Sequence, residues 1–404
     1  RAAHDGSVVD YAADPLEVAT GSSGQSLTLS MAAAQGELVR AVADLNLRLA
    51  GFVSLSGRFG FEKSKKMLTT TDGTTPSVLV DADVLTVGGT GINAFVGLNG
   101  GSADAIGLSL SDVDFGLAIV KDAANAQPYV SLQATAAGAG FLGADAFELS
   151  GSQISVEVNL AAANDQVIDY NGTGNDESGL AVTGGLTLDM DGSVGELIRA
   201  SGTVQLKVLD FVSISGELAF EKSTDQVTVR DTSTNTSSSV AVDKLTVGAS
   251  DLNAFVGLNA GSADAVGLSL AGVEFGLAIL TDQNDAERRW LGLEASAGSA
   301  SFVGGEFLQV SADTVTVEIN RASSDDSLVD FAADTLAVIT GTGTSLALDM
   351  AASEGELIRA SGNLNINLFN FFQVSGSFAF EKSVQTLTLS DGSEVETDLL
   401  TLGG

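Results

Sequence analysis

One hexapeptide occurs three times in this chain at nearly constant spacing, and that period limits the fold more than any other feature. Gly36-Glu37-Leu38-Val39-Arg40-Ala41 returns as Gly195-Glu196-Leu197-Ile198-Arg199-Ala200 and as Gly355-Glu356-Leu357-Ile358-Arg359-Ala360, at offsets of 159 and 160 residues. Phe61-Glu62-Lys63-Ser64 returns at Phe220-Glu221-Lys222-Ser223 and Phe380-Glu381-Lys382-Ser383 with the same two offsets. Val9-Asp10-Tyr11-Ala12-Ala13-Asp14 matches Val329-Asp330-Phe331-Ala332-Ala333-Asp334. The chain therefore divides into units 1–160 and 161–320 and a partial unit 321–404. In a repeat protein each unit buries its apolar surface against its neighbours, and polar caps close the ends. Neither end carries such a cap, so a window of a longer polypeptide is expected.

Within a unit the dominant period is two. In the stretch Val53 to Glu62 the apolar residues Val53, Leu55, Phe59 and Phe61 alternate with Ser54, Ser56, Arg58 and Glu62. Val212, Ile214, Leu218 and Phe220 repeat the pattern, as do Val374, Phe378 and Phe380. Strict alternation marks a strand with one apolar and one wet face, whereas a helix would scatter the same residues around its axis. Leu45, Leu47 and Leu49 mark a further strand. Elsewhere short strands are separated by apparent corners: Gly88 to Gly91 between Leu85 and Ile92, and Ser111-Asp112 where the apolar phase flips. Residues 129–141 and 147–158 read as two more strands. Helical composition is confined to 30–43, and its counterpart 189–202 contains Gly192, Gly195 and Gly202, so bend or strand is expected there. The class is all-β. Corners at roughly 17–24-residue spacing favour a β-solenoid rod, with a row of β-sandwich domains as the alternative. Most of the 19 Phe fall on the apolar phase and are expected in the core. Loops are expected at 171–179 and 231–239.

Eighteen basic against 52 acidic residues give a net charge of −34, which excludes nucleic acid as a natural partner. There is no Cys, hence no disulfide framework and no zinc-thiolate site. No run of about 18 apolar residues is present, so no membrane-spanning helix is expected. His4 is the only His and has no nucleophile-base arrangement around it, so an enzyme is not expected.

Acidic positions recur with the repeat. Asp83, Asp243 and Asp398 precede a Leu-Thr-Val/Leu strand; Asp104 and Asp264 sit in Gly-Ser-Ala-Asp turns; Asp114 and Glu274 share a strand slot. Calcium takes six to eight oxygens, chiefly from carboxylates and loop carbonyls, so these residues are candidate calcium ligands. Against that, no Asp-x-Asp-x-Asp-Gly loop occurs, and turn carboxylates also serve capping and solubility. Glu37/Arg40 and its copies are expected to pair across neighbouring coils, and Glu62-Lys63 and its copies to end a strand on a charge.

The stretch Val247 to Gly257, with Val266 to Leu270 and Gly276 to Leu280, resembles repeats of very large bacterial surface proteins, including the giant exoproteins that carry an N-terminal LEPR-XLL domain. The first copy shows the same text at 88–120. The resemblance implies export, great length and a cell-surface role, and it supplies no catalytic residues. A structural segment of an extracellular fibre, sheath or adhesin stalk is therefore expected, its partners being copies of itself or adjacent repeats. The alternative is a ligand-binding adhesin module whose calcium-stabilised loops contact cell-surface glycans.

Overall fold

The computed structural model describes residues 2–21, 24–49, 52–73, 75–122, 127–143, 147–171, 179–305 and 308–404. The chain opens with a small hairpin, β1 (Leu16–Ala19) and β2 (Ser26–Leu29), followed by a 3-10 turn at Ala33–Gln35. Six long strands come next: β3 (Leu38–Leu49), β4 (Val53–Thr71), β5 (Ser77–Leu98), β6 (Ile106–Lys121), β7 (Tyr129–Leu142) and β8 (Phe147–Leu160). A second small segment holds β9 (Val167–Asp169), β10 (Leu180–Ala181), β11 (Thr187–Leu188) and a 3-10 turn at Gly192–Val194. Six more long strands follow: β12 (Leu197–Val208), β13 (Val212–Asp231), β14 (Thr236–Leu258), β15 (Val266–Asp282), β16 (Asp285–Val303) and β17 (Leu308–Arg321). A third small segment comprises β18 (Ser327–Val329), β19 (Leu336–Gly341), β20 (Thr344–Leu348) and a 3-10 turn at Ala352–Glu354. The last strands are β21 (Leu357–Leu368), β22 (Phe372–Thr388) and β23 (Glu394–Gly403).

The long strands form a single antiparallel meander, β3 through β8, then β12 through β17, then β21 through β23, within a sheet of seventeen strands that also takes in β9 and β18. Unit boundaries do not interrupt it. β8 pairs with β12 from Asn159↔Leu197 to Phe147↔Val208, and β17 with β21 from Asn320↔Leu357 to Leu308↔Leu368. Two-residue alternation dictates these strands, and β-branched and aromatic side chains suit their pleated surface. The corners read from Gly and phase flips are bulges inside longer strands. The β5–β6 register shifts between Gly89 and Ile92, Gly91 takes φ +59° and Asp112 φ +51°, and the Gly91 N–H donates to Asp114 Oδ1 at 2.8 Å. One extra residue explains the flip in apolar phase without a change of strand. Instead of successive coils, the described residues form long antiparallel strands. The 231–239 segment is a tight turn whose flanks belong to β13 and β14, and 172–178 lie outside the described residues.

The second and third small segments each close one face of the sheet at one end of the strands; we call each a cap. Residues 161–171 and 179–196 cover β4–β7, and 321–356 cover β13–β16. The cap strand pairs with the edge of the second long strand, Ile168 opposite Thr70 and Val329 opposite Val229. Asn159 and Asn320 hold it from below, donating to the carbonyls of Ile168 (2.8 Å) and Val329 (3.0 Å). Beneath the first cap, Val84, Val120 and Tyr129 meet Ile168, Tyr170 and Leu188; beneath the second, Val242, Leu280 and Trp290 meet Val329, Phe331 and Leu348. The cap backbone approaches so closely that a Cβ on Gly88 would lie 2.6 Å from Gly185 N. Glycine there is a condition of cap docking.

Trp290 is fully buried and its Nε1–H donates to Ser327 O at 3.0 Å. Trp290→Ala is expected to cost about 3–5 kcal/mol, measured by denaturant unfolding followed by circular dichroism.

Candidate functional site

The repeated arginine occupies the junction between units. Arg40, Arg199 and Arg359 do pair across neighbouring strands, but with carboxylates other than Glu37, Glu196 and Glu356, the partners expected from sequence, which sit just before β3, β12 and β21. Arg40 Nη2 lies 2.8 Å from Glu62 Oε2. Arg199 reaches Glu157 at 3.0 Å on the last strand of the preceding unit and Glu221 at 2.8 Å on its own. Arg359 reaches Glu318 at 2.7 Å and Glu381 at 2.9 Å in the same way, and Glu354 of the cap at 2.9 Å. A guanidinium fork suits this three-strand bridge because it holds two carboxylates in one plane.

Glu62 and Glu221 are buried in mid-strand under the caps, which corrects the expectation that Glu62-Lys63 and its copies end strands. Burial raises the proton affinity of Glu62, but hydrogen bonds from Thr183 (2.7 Å) and Arg40, with the charges of Arg40 and Lys66, outweigh it and hold the carboxyl below the usual carboxylate range. Glu221 is likewise opposed by burial and held low by Arg199, Lys244 and Ser223. The hydrogen bond from Arg359 keeps Glu381 low. Glu294 goes the other way: burial, then the nearby Asp349 and Glu318 charges, raise its carboxyl despite a 2.7 Å bond from Asp349 N–H. The same slot in the first unit holds Gln133, which accepts from Asp189 N–H and donates to its carboxylate, both at 2.7 Å.

The candidate calcium ligands are spread along the strands. Asp83 is exposed on β5 and pairs with Lys65 at 3.5 Å; Asp243 is exposed on β14 and accepts from Gln283 at 3.2 Å. Asp398 lies on β23 opposite Val384. Asp104 and Asp264 sit in turns at the other strand ends, each carbonyl accepting from an Asn amide, at 3.3 Å from Asn99 and 3.2 Å from Asn259. Asp114 accepts from Gly91, and Glu274 is exposed opposite Ser296. Among the described residues no group of three or more His, Cys, Asp or Glu is placed to hold a metal.

The face opposite the caps is the largest unassigned surface. Across it, directly paired residues are apolar row after row: Ala200, Phe220, Val247, Leu277, Leu293, Ile319 and Ile358 form one, and Ile214, Ala254, Leu270, Ala300, Ala312 and Leu364 another. Lysines at 63, 222 and 382 mark its charged border. Nothing in the described chain covers it: Phe61, Phe220 and Phe380 are each about 40% exposed, and Phe371, at the tip of the β21–β22 turn, is 95% exposed. Many of the Phe expected in the core lie here instead. Alternation states which residues share a face; it does not state that the face is buried. No helix among the described residues is long and apolar enough to cross a membrane. No protein-family profile, curated protein or solved structure matches the chain.

Because the folded protein holds Glu62, Glu221 and Glu381 below their unfolded proton affinity, their contribution is present above about pH 4.3, the ordinary Glu value, and is lost as pH falls through the folded values. Glu221→Gln is expected to flatten the acid limb of unfolding free energy against pH. Arg199→Met, which leaves Glu157 without this partner and Glu221 to Lys244 and Ser223, should cost about 2–4 kcal/mol. The raised Glu294 opposes folding once ionised, so Glu294→Gln should raise the denaturant midpoint at neutral pH and leave it less changed at low pH.

Proposed function

We propose that this chain is a structural segment of an extracellular fibre or sheath, a ribbon whose length is set by the number of units it contains. The observation that carries this reading is the ladder across the boundaries: β8–β12 and β17–β21 are each paired over eleven positions, the same as β7–β8, β12–β13 and β16–β17 inside a unit. A row of separate domains would place a linker there. The rod anticipated from sequence as a solenoid then takes the form of strands stacked side by side, growing by about 29 Å per six-strand unit at the 4.8 Å strand spacing.

The second element of the proposal is lateral association through the open face. Fifteen meander strands at that spacing, with an apolar band about 30 Å tall, offer about 2,000 Å². A stable contact needs about 800 Å² per partner, and soluble monomers seldom leave more than about 600 Å² of apolar patch open. Rows of Ala on β7 and β16 (Ala134, Ala136; Ala295, Ala297) lie between strands bearing Leu, Val and Phe. Such relief suits a second copy's sheet, whose ridges fill the troughs. Association buries no charge in the band, and the acidic surface stays on the capped side and the strand ends.

A glycan-binding adhesin is the weaker reading. The cleft beside the second cap is lined by Arg230, Ser233, Asn235, Glu354 and Arg359 and has no aromatic ring on which a sugar would stack. Calcium enters the proposal as a counterion for exposed carboxylates: its effect on melting temperature should be matched by magnesium at equal ionic strength.

Small-angle scattering should give an elongated particle, and a compact sphere would refute the ribbon. Phe220→Lys with Phe380→Lys, both solvent-facing, should leave the monomer's melting intact and raise the concentration needed for self-association about tenfold or more. Unchanged association would remove the open face as the lateral contact.

A further inference from the structure

The two caps rest on their strands through the same polar contact, built from the same neighbours, and one functional group distinguishes them. Beneath the first cap, Gln133 of β7 lies opposite Gly116 of β6 and Glu157 of β8. Asp114 stands two residues along β6, and Arg199 of β12 holds Glu157. The Gln133 amide bonds the cap twice: its oxygen accepts from Asp189 N–H, and its NH2 donates to the Asp189 carboxylate, both at 2.7 Å. Beneath the second cap, Glu294 of β16 lies opposite Gly276 of β15 and Glu318 of β17. Glu274 stands two residues along β15. Arg359 of β21 holds Glu318, and also Glu354 of the cap and Glu381 of β22. Glu294 keeps the first of the two cap bonds, accepting from Asp349 N–H at 2.7 Å. Its second bond is to the Asp349 carboxylate, to which an ionised Glu294 has no hydrogen to donate.

We propose that one proton, shared between the carboxyl groups of Glu294 and Asp349, completes the docking contact of the second cap and makes this cap a pH-sensitive latch. A protonated Glu has the shape and the bonding pattern of Gln: one oxygen accepts and the other donates. With the proton in place, Glu294 bonds Asp349 as Gln133 bonds Asp189, and the bond to the carboxylate is charge-assisted. Without it, two carboxylates meet in a half-buried slot, with Glu318 as a third and Glu274 nearby, while Arg359 is shared among three other acids. Burial first, then the charges of Asp349 and Glu318, accordingly raise the Glu294 carboxyl. A group that binds its proton more tightly in the folded state gives a contribution fully present below the unfolded value, about pH 4.3 for Glu. That contribution is lost as pH rises through the higher folded value. The sign is opposite to that of Glu62, Glu221 and Glu381, whose contributions disappear on acidification. In mild acid the second cap is therefore latched, and towards neutrality it loosens; Gln133 does not titrate, so the contact beneath the first cap stays as it is.

Trp290 supplies a local readout, being the single Trp of the chain and fully buried beneath the second cap. Acrylamide quenching of its fluorescence, followed from pH 5 to 8 on the full chain, should increase as the cap loosens. Hydrogen exchange read by mass spectrometry reports both caps at once. After correction for the intrinsic pH dependence of exchange, peptides from 321–356 should exchange about tenfold faster at pH 8 than at pH 5. Peptides from 179–196 should show no such change. Glu294→Gln should keep the second cap slow at both pH values, and Gln133→Glu should transfer the pH dependence to the first cap. Both substitutions are nearly isosteric, and circular dichroism at pH 5 should show both variants folded like the parent. The proposal is overturned if Trp290 and the second cap do not respond to pH, if Glu294→Gln retains the response, or if Gln133→Glu leaves the first cap indifferent to pH.

Discussion

The antiparallel hydrogen-bond ladder runs through the unit boundaries, and every other feature of this protein is arranged around keeping it continuous. Bonding β8 to β12 requires that the chain leave the sheet after β8, cross one face as the 161–196 cap, and return at the free edge. The cap is therefore also the connection that makes a meander from repeated six-strand sets. Arg199 and Arg359 stand where the returning strand meets the previous one, and bridge carboxylates on both sides. Their value lies less in stabilisation than in registry: a one-residue slip would send the guanidinium to the apolar face and break its bridge between Glu157 and Glu221.

Much of this was legible in the sequence. The period, the strands and the all-β class follow from recurring words and two-residue alternation, and the phase flip at Ser111-Asp112 marked a real irregularity. What could not be read was whether such an irregularity turns a corner or makes a bulge. Gly91 and Asp112 have positive φ either way, and only pairing with the neighbouring strand tells them apart. The burial of Glu62 was hidden for a related reason. Its cover, Thr183, is 121 residues away along the chain, and no local pattern announces a contact of that span. The carboxylates chosen for their recurrence recur because the strands and turns that carry them recur.

The two faces of the ribbon divide its physical roles. The buried core, with Tyr129 and Trp290 at its centre, lies under the caps, flanked by glycines and polar residues where close backbone approach and hydrogen bonds decide the fit. Large apolar residues project from the other side in unbroken rows. An antiparallel sheet with one solvated and one packed face is ordinary; here the surface that reads as the packed one has no partner within the chain. A strongly acidic protein that keeps its charges off one broad face can concentrate without general aggregation, since contacts other than face to face bring like charges together.

The position of the caps also separates the unit that repeats from the unit that closes. Residues 161–196 complete the core of the strands before them, so a closed module runs from about Leu38 to Gly195 and straddles the boundary at 160. Each gene-level period thus donates its first part backwards. Duplicating or losing one whole period, wherever the crossover falls, leaves every remaining cap on a matching set of strands and every junction arginine between matching carboxylates. Array length can therefore drift over generations with no core to repair.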